Sequence, residues 1–239
     1  MELLEQMIAA HGGRALWQSL SAVSARLSFG GLAFAARFNR AGLRERWVLV
    51  SVNEPHAVLA DYPDPGRRGI FTPGRVWIES AGGEVLAERR SPRAAFSSPR
   101  RYLWWDDLDL LYFAGYALWN YLSFPFLLTL PDVEIREIAP WPEAGEIWRR
   151  LAVQFPDELP THSREQIFYF DQRFRLRRFD YDPVLFLPRA TAAHYCSEYR
   201  DFAGLSMPTR RKVLPRRPDG RVLSRPTLVW IEIEEVLLK

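Results

Sequence analysis

Residues 110–130 read LLYFAGYALWNYLSFPFLLTL, an uncharged stretch of 21 residues between two segments that carry charge. A run of this length is long enough to cross a bilayer as a helix. Asn120 and Pro125 interrupt it, however, and acidic residues such as Asp106 lie just upstream, where they favour the positive end of a helix. We therefore predict a buried helix over 106–122, followed by an extended apolar segment, and no transmembrane span.

On both sides of this helix the sequence has the patterns of β-strands. A helical region over 3–20, broken at Gly12–Gly13, comes first. The predicted upstream strands cover 21–29, 32–39, 43–52, 56–61, 75–80 and 84–90. The predicted downstream strands cover 133–138, 146–155, 166–170, 174–181, 191–202, 209–214 and 222–237. The last of these alternates isoleucine and glutamate at 231–234, which is typical of a strand with one buried and one solvated face.

This number of consecutive strands indicates the shape of the sheet. A twisted sheet of more than about ten strands curls or splits instead of staying flat. We therefore predict a mainly β protein with a few helices: one large curved antiparallel sheet, an incomplete barrel, in a single domain over 1–239. Helix 106–122 is expected to fill the concave face, because it would cover apolar surface that would otherwise be exposed.

The composition excludes several classes of function. A net charge of +3 is too small a basic excess to indicate nucleic acid, so we predict no nucleic-acid partner. The single cysteine, Cys196, excludes an intrachain disulfide and a site built from several thiolates. The first residues, MELLEQ, are acidic where an export signal is basic. We therefore expect a cytoplasmic location, or a periplasmic one if the sequence has been trimmed.

Two segments resemble the lipoprotein-sorting-factor (LolA/LolB-like) superfamily. Near the start, HGGRALWQSLSAVSARLSF has a helix pattern formed by Gly12, Gly13, Trp17 and Leu20. Near the end, YRDFAGLSMPTRRKV has a strand pattern formed by Tyr199, Phe202, Gly204, Leu205 and Pro208. Residues 160–213 also resemble a set of uncharacterised bacterial proteins. The resemblance implies a half-barrel with an apolar cavity, which in the sorting factors holds acyl chains.

A binding role is therefore our first hypothesis: non-enzymatic binding of a lipid-like or other hydrophobic ligand. Ligand pockets are concave and mostly apolar, with a few polar groups that orient the ligand. The residues predicted to lie in or over the cavity are Trp104, Trp105, Trp119, Phe124 and Phe126. Those predicted at its rim, to meet a carboxylate or phosphate head, are Arg178, His194 and Arg210.

Two alternatives remain open at this stage. His162, Asp180 and His194 are weak candidates for catalysis on a small hydrophobic substrate, since a histidine paired with a carboxylate acts as a general acid or base near neutral pH. The sequence has no recognised catalytic, phosphate-loop or dinucleotide motif, so we predict no cofactor and favour a protein that is not an enzyme. Neither do the spacings of these residues indicate a metal site, and none is predicted. The third possibility is a structural protein whose barrel is plugged by helix 106–122. The sequence leaves the oligomeric state open.

Overall fold

The structure, a computed structural model, describes residues 2–37, 43–186 and 190–239. The helices in these residues are α1 (Glu2–Ala10), α2 (Gly13–Ser19), α3 (Leu32–Ala35), α4 (Pro92–Ala95) and α5 (Asp107–Leu122), with short 3-10 helices at Pro99–Tyr102 and Phe126–Thr129. The strands are β1 (Ala22–Gly30), β2 (Leu43–Ser51), β3 (Ala57–Ala60), β4 (Arg67–Thr72), β5 (Arg75–Ser80), β6 (Val85–Arg90), β7 (Glu134–Glu143), β8 (Glu146–Gln154), β9 (Glu165–Phe170), β10 (Leu176–Tyr181), β11 (Ala192–Phe202), β12 (Leu205–Pro215) and β13 (Val229–Leu238).

These strands form one antiparallel sheet of thirteen strands in the order β6-β5-β4-β3-β2-β1-β13-β12-β11-β10-β9-β8-β7. The chain enters at the centre, runs outward to the edge strand β6, and crosses through α5 to the opposite edge at β7. It then returns strand by strand to β13, which pairs with β1 from Val23↔Leu238 to Gly30↔Trp230. Because β6 and β7 remain unpaired edges, the sheet is an incomplete barrel. The predicted fold class is confirmed.

Two strand predictions are wrong. Residues 32–35 form helix α3 and not a strand; the rest of that predicted strand includes 38–39, outside the described residues. The reason is tertiary: Gly31 has φ 134°, and the N–H of Ala33 donates to the carbonyl of Leu228 at 2.9 Å, which docks the segment on the start of β13. A Cβ at Gly31 would lie 2.3 Å from that carbonyl oxygen, so the turn requires glycine. The other error is at β13, which begins at Val229 and not at position 222.

One strand, β4, was not predicted from the sequence. Its sequence, RRGIFT, starts with two arginines and contains a glycine, and both features weaken a strand pattern. In the fold, β4 pairs with β3 and β5 and lies directly under the central helix. The position of Gly69 in this strand has a physical reason, because a Cβ there would lie 2.7 Å from Leu111 of α5.

Helix α5 fills the concave face as predicted, and almost all of its residues are buried. Asp106 caps its N-terminus in a capping box with Asp109, and Arg89 pairs with both carboxylates at 2.7 Å. No helix in the described residues is long and apolar enough to cross a membrane. The backbone of α5 approaches β3, β4 and β5 more closely than the strands of the second half of the sheet. The space between helix and sheet is therefore wider on the side of β10–β13, where buried aromatic side chains such as Phe179 and Tyr181 fill much of it.

Candidate ligand-binding site

An apolar cavity of about 220 Å³ lies at one end of this space, and we call it the mouth pocket. Helices α3 and α5, residues from 181–186 and 190–192, and strands β12 and β13 form its walls. Its lining side chains are almost all apolar and include Leu32, Ala36, Phe113, Tyr121, Phe186 and Val213. Leu32 is 48% exposed although it lines the cavity, so the pocket opens to the surface beside α3. The Gly31 turn, which places α3 against β13, thus builds one wall of the pocket.

Tyr121 marks the inner end of the mouth pocket. Beyond it lie two small cavities of about 10 Å³ each, and Tyr121 lines both of them as well. Such a volume is close to the minimum that one water molecule needs. Tyr121 also donates or accepts a hydrogen bond with Nε2 of His162 at 2.6 Å, which holds its ring in place. Of these three cavities between α5 and the described part of the sheet, the mouth pocket is the one with room for a ligand.

Among the described residues that line the mouth pocket, Arg37 is the charged one. Its side chain is 4% exposed, and its guanidinium donates to the carbonyls of Ala33 at 2.8 Å and Phe186 at 3.1 Å. The guanidinium carbon also lies 5.1 Å from the ring centre of Trp105 and 4.6 Å from that of Phe186. Burial lowers the pKa of Arg37 to about 10, so the group is still charged at neutral pH. Sequence reasoning missed Arg37, although an arginine that ends the apolar run GLAFAA was a usable signal.

The two histidines predicted as catalytic lie deeper, between α5 and the sheet. Nδ1 of His162 bonds the hydroxyl of Tyr116 at 3.1 Å, while its ring stacks on Tyr181 at 4.3 Å. His194 stacks on Phe179 at 4.3 Å, and neither of its ring nitrogens has a hydrogen-bond partner among the described residues. Burial lowers the pKa of His162 to about 3 and that of His194 well below its ordinary value. Both rings are therefore neutral at physiological pH.

Asp180 lies on the other face of the sheet. It is the strand neighbour of Phe179, whose side chain points towards α5, and successive side chains in a strand point to opposite faces. Its carboxylate accepts hydrogen bonds from Nε of Arg178 at 2.7 Å and from the hydroxyl of Tyr169 at 2.8 Å. The structure therefore does not assemble the predicted cluster of His162, Asp180 and His194. The described residues also hold no group of three or more side chains suited to bind a metal.

The aromatic residues predicted for the cavity are dispersed, and none of them lines the mouth pocket. Trp105 lies behind Arg37, whereas Trp104 is half-buried and packs against Arg100 at 4.2 Å. In the core, the indole N–H of Trp119 donates to the carbonyl of Ser51 at 3.1 Å. The two remaining rings stack on core neighbours: Phe124 on Phe168 at 5.3 Å, and Phe126 on Trp17 at 4.3 Å.

The three residues predicted at the rim do not reach the mouth pocket either. Arg178 is 1% exposed and pairs with Asp180 and Glu143 on the convex face. Arg210 is exposed on that face and pairs with Glu198 at 2.6 Å. His194 is enclosed by Phe179 and Tyr121. These residues could contact a ligand only at a second binding site or after a rearrangement of the fold.

The convex face carries a larger groove of about 520 Å³ over β7–β10. Its walls are mixed, with Arg136, Glu165, Asp182 and Arg216 among apolar side chains. Arg216 already pairs with Asp180 and Asp182 across it, at 3.6 and 3.4 Å. Because several charged side chains line it, this groove is a weaker candidate for an apolar ligand than the mouth pocket.

Comparison with known proteins connects this geometry to solved structures. A LolA superfamily protein from Nitrosomonas europaea superposes with a TM-score of 0.56 over 100% of this chain and 92% of its own, at 13% identity. The chain has the LolA-like fold. A DUF1329 family protein from Desulfovibrio piger (TM-score 0.52, 10% identity, 99% of this chain and 92% of its own) has the same architecture. So does a domain from Vibrio parahaemolyticus described as an outer membrane lipoprotein-sorting protein (TM-score 0.52, 12% identity, 100% of this chain and 91% of its own). No family model and no curated protein matches the sequence.

The comparison overturns the expected cytoplasmic location. Proteins that share the LolA-like fold over the whole chain include one described as an outer membrane lipoprotein-sorting protein, which does not agree with that expectation. The cytoplasmic prediction is therefore wrong. It depended on the acidic residues at the start of the sequence.

Proposed function

We propose that this protein is a non-enzymatic binding protein that holds the apolar chain of an amphiphile in the mouth pocket. The observation that carries the proposal is an apolar cavity of about 220 Å³ that opens to the surface beside Leu32. Two points support it further: a neighbour with the same fold is described as a lipoprotein-sorting protein, and the backbone of α5 lies farther from the strands of the second half of the sheet than from β3, β4 and β5.

The surroundings of the opening favour an apolar ligand that enters from outside. Leu32 is 48% exposed and Val184, next to the pocket-lining Pro183, is 54% exposed, so large apolar side chains flank the opening. Each methylene group that moves from water into the pocket contributes about 0.8 kcal/mol, which corresponds to about a fourfold lower Kd. Affinity should therefore rise with chain length until the pocket is filled.

The first experiment is to measure the intact mass of freshly purified protein under native conditions and to extract it with organic solvent. A stoichiometric co-purifying amphiphile would identify the ligand class. In parallel, ligand-free protein is titrated calorimetrically with 1-hexanol, 1-octanol and 1-decanol, whose heads are neutral. The Kd should fall by about 15-fold for each two methylenes added. If no member of this series binds saturably and the protein carries no amphiphile, the proposal is wrong.

A matched pair of variants locates the site. Ala36 and Ala35 are consecutive, exposed alanines at the end of α3, but only Ala36 lines the mouth pocket. Ala36→Trp should fill the pocket and weaken 1-decanol binding at least tenfold, whereas Ala35→Trp should leave the Kd within about twofold. Thermal unfolding of both variants checks that the fold is kept. Equal binding by the two variants would place the ligand elsewhere.

A further inference from the structure

We propose that the mouth pocket selects an anionic amphiphile, and that Arg37 pairs with the carboxylate or phosphate of its head group. This inference rests on the proposed function, because it assigns the head-group chemistry of the same ligand.

Arg37 has N–H groups that donate no hydrogen bond in the described residues. A guanidinium has five N–H groups in a planar fork, and the hydrogen bonds to Ala33 and Phe186 engage one on each terminal nitrogen. The Nε atom is buried without a hydrogen-bond partner in the described residues. Both partners that it does have are neutral backbone carbonyls, so these bonds do not neutralise its charge.

Arg37 has no compensating negative charge among the described residues. Arg37 forms no ion pair with a carboxylate in the described residues, and burial alone accounts for its lowered pKa. The stretches that the structure does not describe, 38–42 and 187–189, contain no aspartate or glutamate. A buried cation without a counter-charge is costly. Arg178, buried to a similar degree, shows the usual arrangement, since Asp180 and Glu143 both pair with it.

The position of Arg37 also differs from that of another buried arginine, Arg211. Arg211 is also buried without a carboxylate partner, but it lines a cavity of only about 10 Å³ and donates to the carbonyl of Tyr121 and to the sulfur of Cys196. Arg37 instead forms part of the wall of the 220 Å³ pocket, close to its apolar lining. A planar guanidinium fits the two oxygens of a carboxylate or phosphate, and an apolar wall beside it accepts the attached chain.

The test compares four ten-carbon probes by calorimetric titration of ligand-free protein: decanoate, decyl phosphate, 1-decanol and decyltrimethylammonium. Both anions should bind at least tenfold more tightly than 1-decanol, and the cation should bind more weakly than 1-decanol. The tighter of the two anions identifies the head group. If 1-decanol binds as tightly as both anions, the assignment of Arg37 is overturned and the proposed function stands. If none of the four binds, the proposed function itself fails.

Variants then assign the effect to Arg37. Arg37→Met should weaken decanoate by roughly 10- to 100-fold and leave 1-decanol within about threefold, while Arg37→Lys should recover part of the decanoate affinity. Arg210→Met, on the exposed convex face, is the matched control and should bind decanoate like the wild type. An Arg37→Met variant that keeps full affinity for decanoate contradicts the proposal. If Arg37→Met does not fold, the comparison of head groups on the wild type still decides.

Discussion

The substitution Gly115→Ala tests how α5 is held against the sheet. In an isolated helix this change stabilises, because alanine is better than glycine by about 1 kcal/mol in a helix interior. In this fold, a Cβ at Gly115 would lie 2.4 Å from both Cβ and Cγ of Phe71 on β4, well inside the optimal carbon–carbon distance of about 3.5–4.0 Å. Rotation of the Phe71 ring moves neither of these two atoms much. Relief therefore requires a shift of backbone.

Overpacking of this kind costs about 1–3 kcal/mol, and the rigidity of the contact favours the upper end. After subtraction of the helical gain, we expect a net loss of about 2 kcal/mol in the free energy of unfolding. For a chain of 239 residues this lowers Tm by about 4–8 °C, which thermal unfolding followed by circular dichroism measures directly. Gly74→Ala is the control, because nothing lies within 4 Å of the added Cβ, and it should change stability by less than about 0.5 kcal/mol. A rise of Tm in Gly115→Ala would refute the reasoning.

Two further predictions concern buried ionisable groups. Burial lowers the pKa of His11 to about 4, that of His162 to about 3 and that of His194 well below 6.5, so the unfolded chain takes up these protons before the folded protein does as the pH falls below 6.5. Stability is therefore complete above pH 6.5, and His11 and His162 each lower it by about 2 kcal/mol at pH 5. His162→Gln should therefore show a smaller shift of its urea midpoint between pH 7 and pH 5 than the wild type, and identical shifts would contradict this. Asp180→Ala leaves the buried Arg178 without its main counter-charge and should lose about 3–5 kcal/mol in urea unfolding, with partial recovery in the double variant with Arg178→Met; a loss below 1 kcal/mol would show that this pair contributes little.

Much of the fold could be predicted because it depends on local patterns. Helix α5 could be predicted from its acidic start and its uncharged length, and β13 from the alternation at Ile231 and Ile233. The strand β4 and the helix α3 could not be predicted in this way. Both depend on partners far away in the chain: Gly69 is needed because Leu111 packs over it, and α3 forms because Ala33 bonds to Leu228.

Most residues of the candidate site could not be predicted from the sequence. The family resemblance implied an apolar cavity, but the individual residues predicted for it are dispersed over the core and the convex face. Asp180 and His194 illustrate the reason, since a difference of one position in strand register separates two side chains by the full thickness of the sheet. Arg37 was missed for a different reason: its assignment depends on the residues that surround it in the fold, and no sequence motif marks it.

The amino-acid sequence by itself determined that this protein is a mainly β half-barrel built around one apolar helix, because hydrophobic periodicity and helix capping act between residues close in the chain. The tertiary structure alone decided where a ligand could bind. Gly115 allows α5 to pack closely on Phe71 in the first half of the sheet, the mouth pocket lies between α5, α3 and strands β12 and β13, and Arg37 is buried at its wall. Each of these features depends on distances between atoms far apart in sequence, which no local pattern specifies.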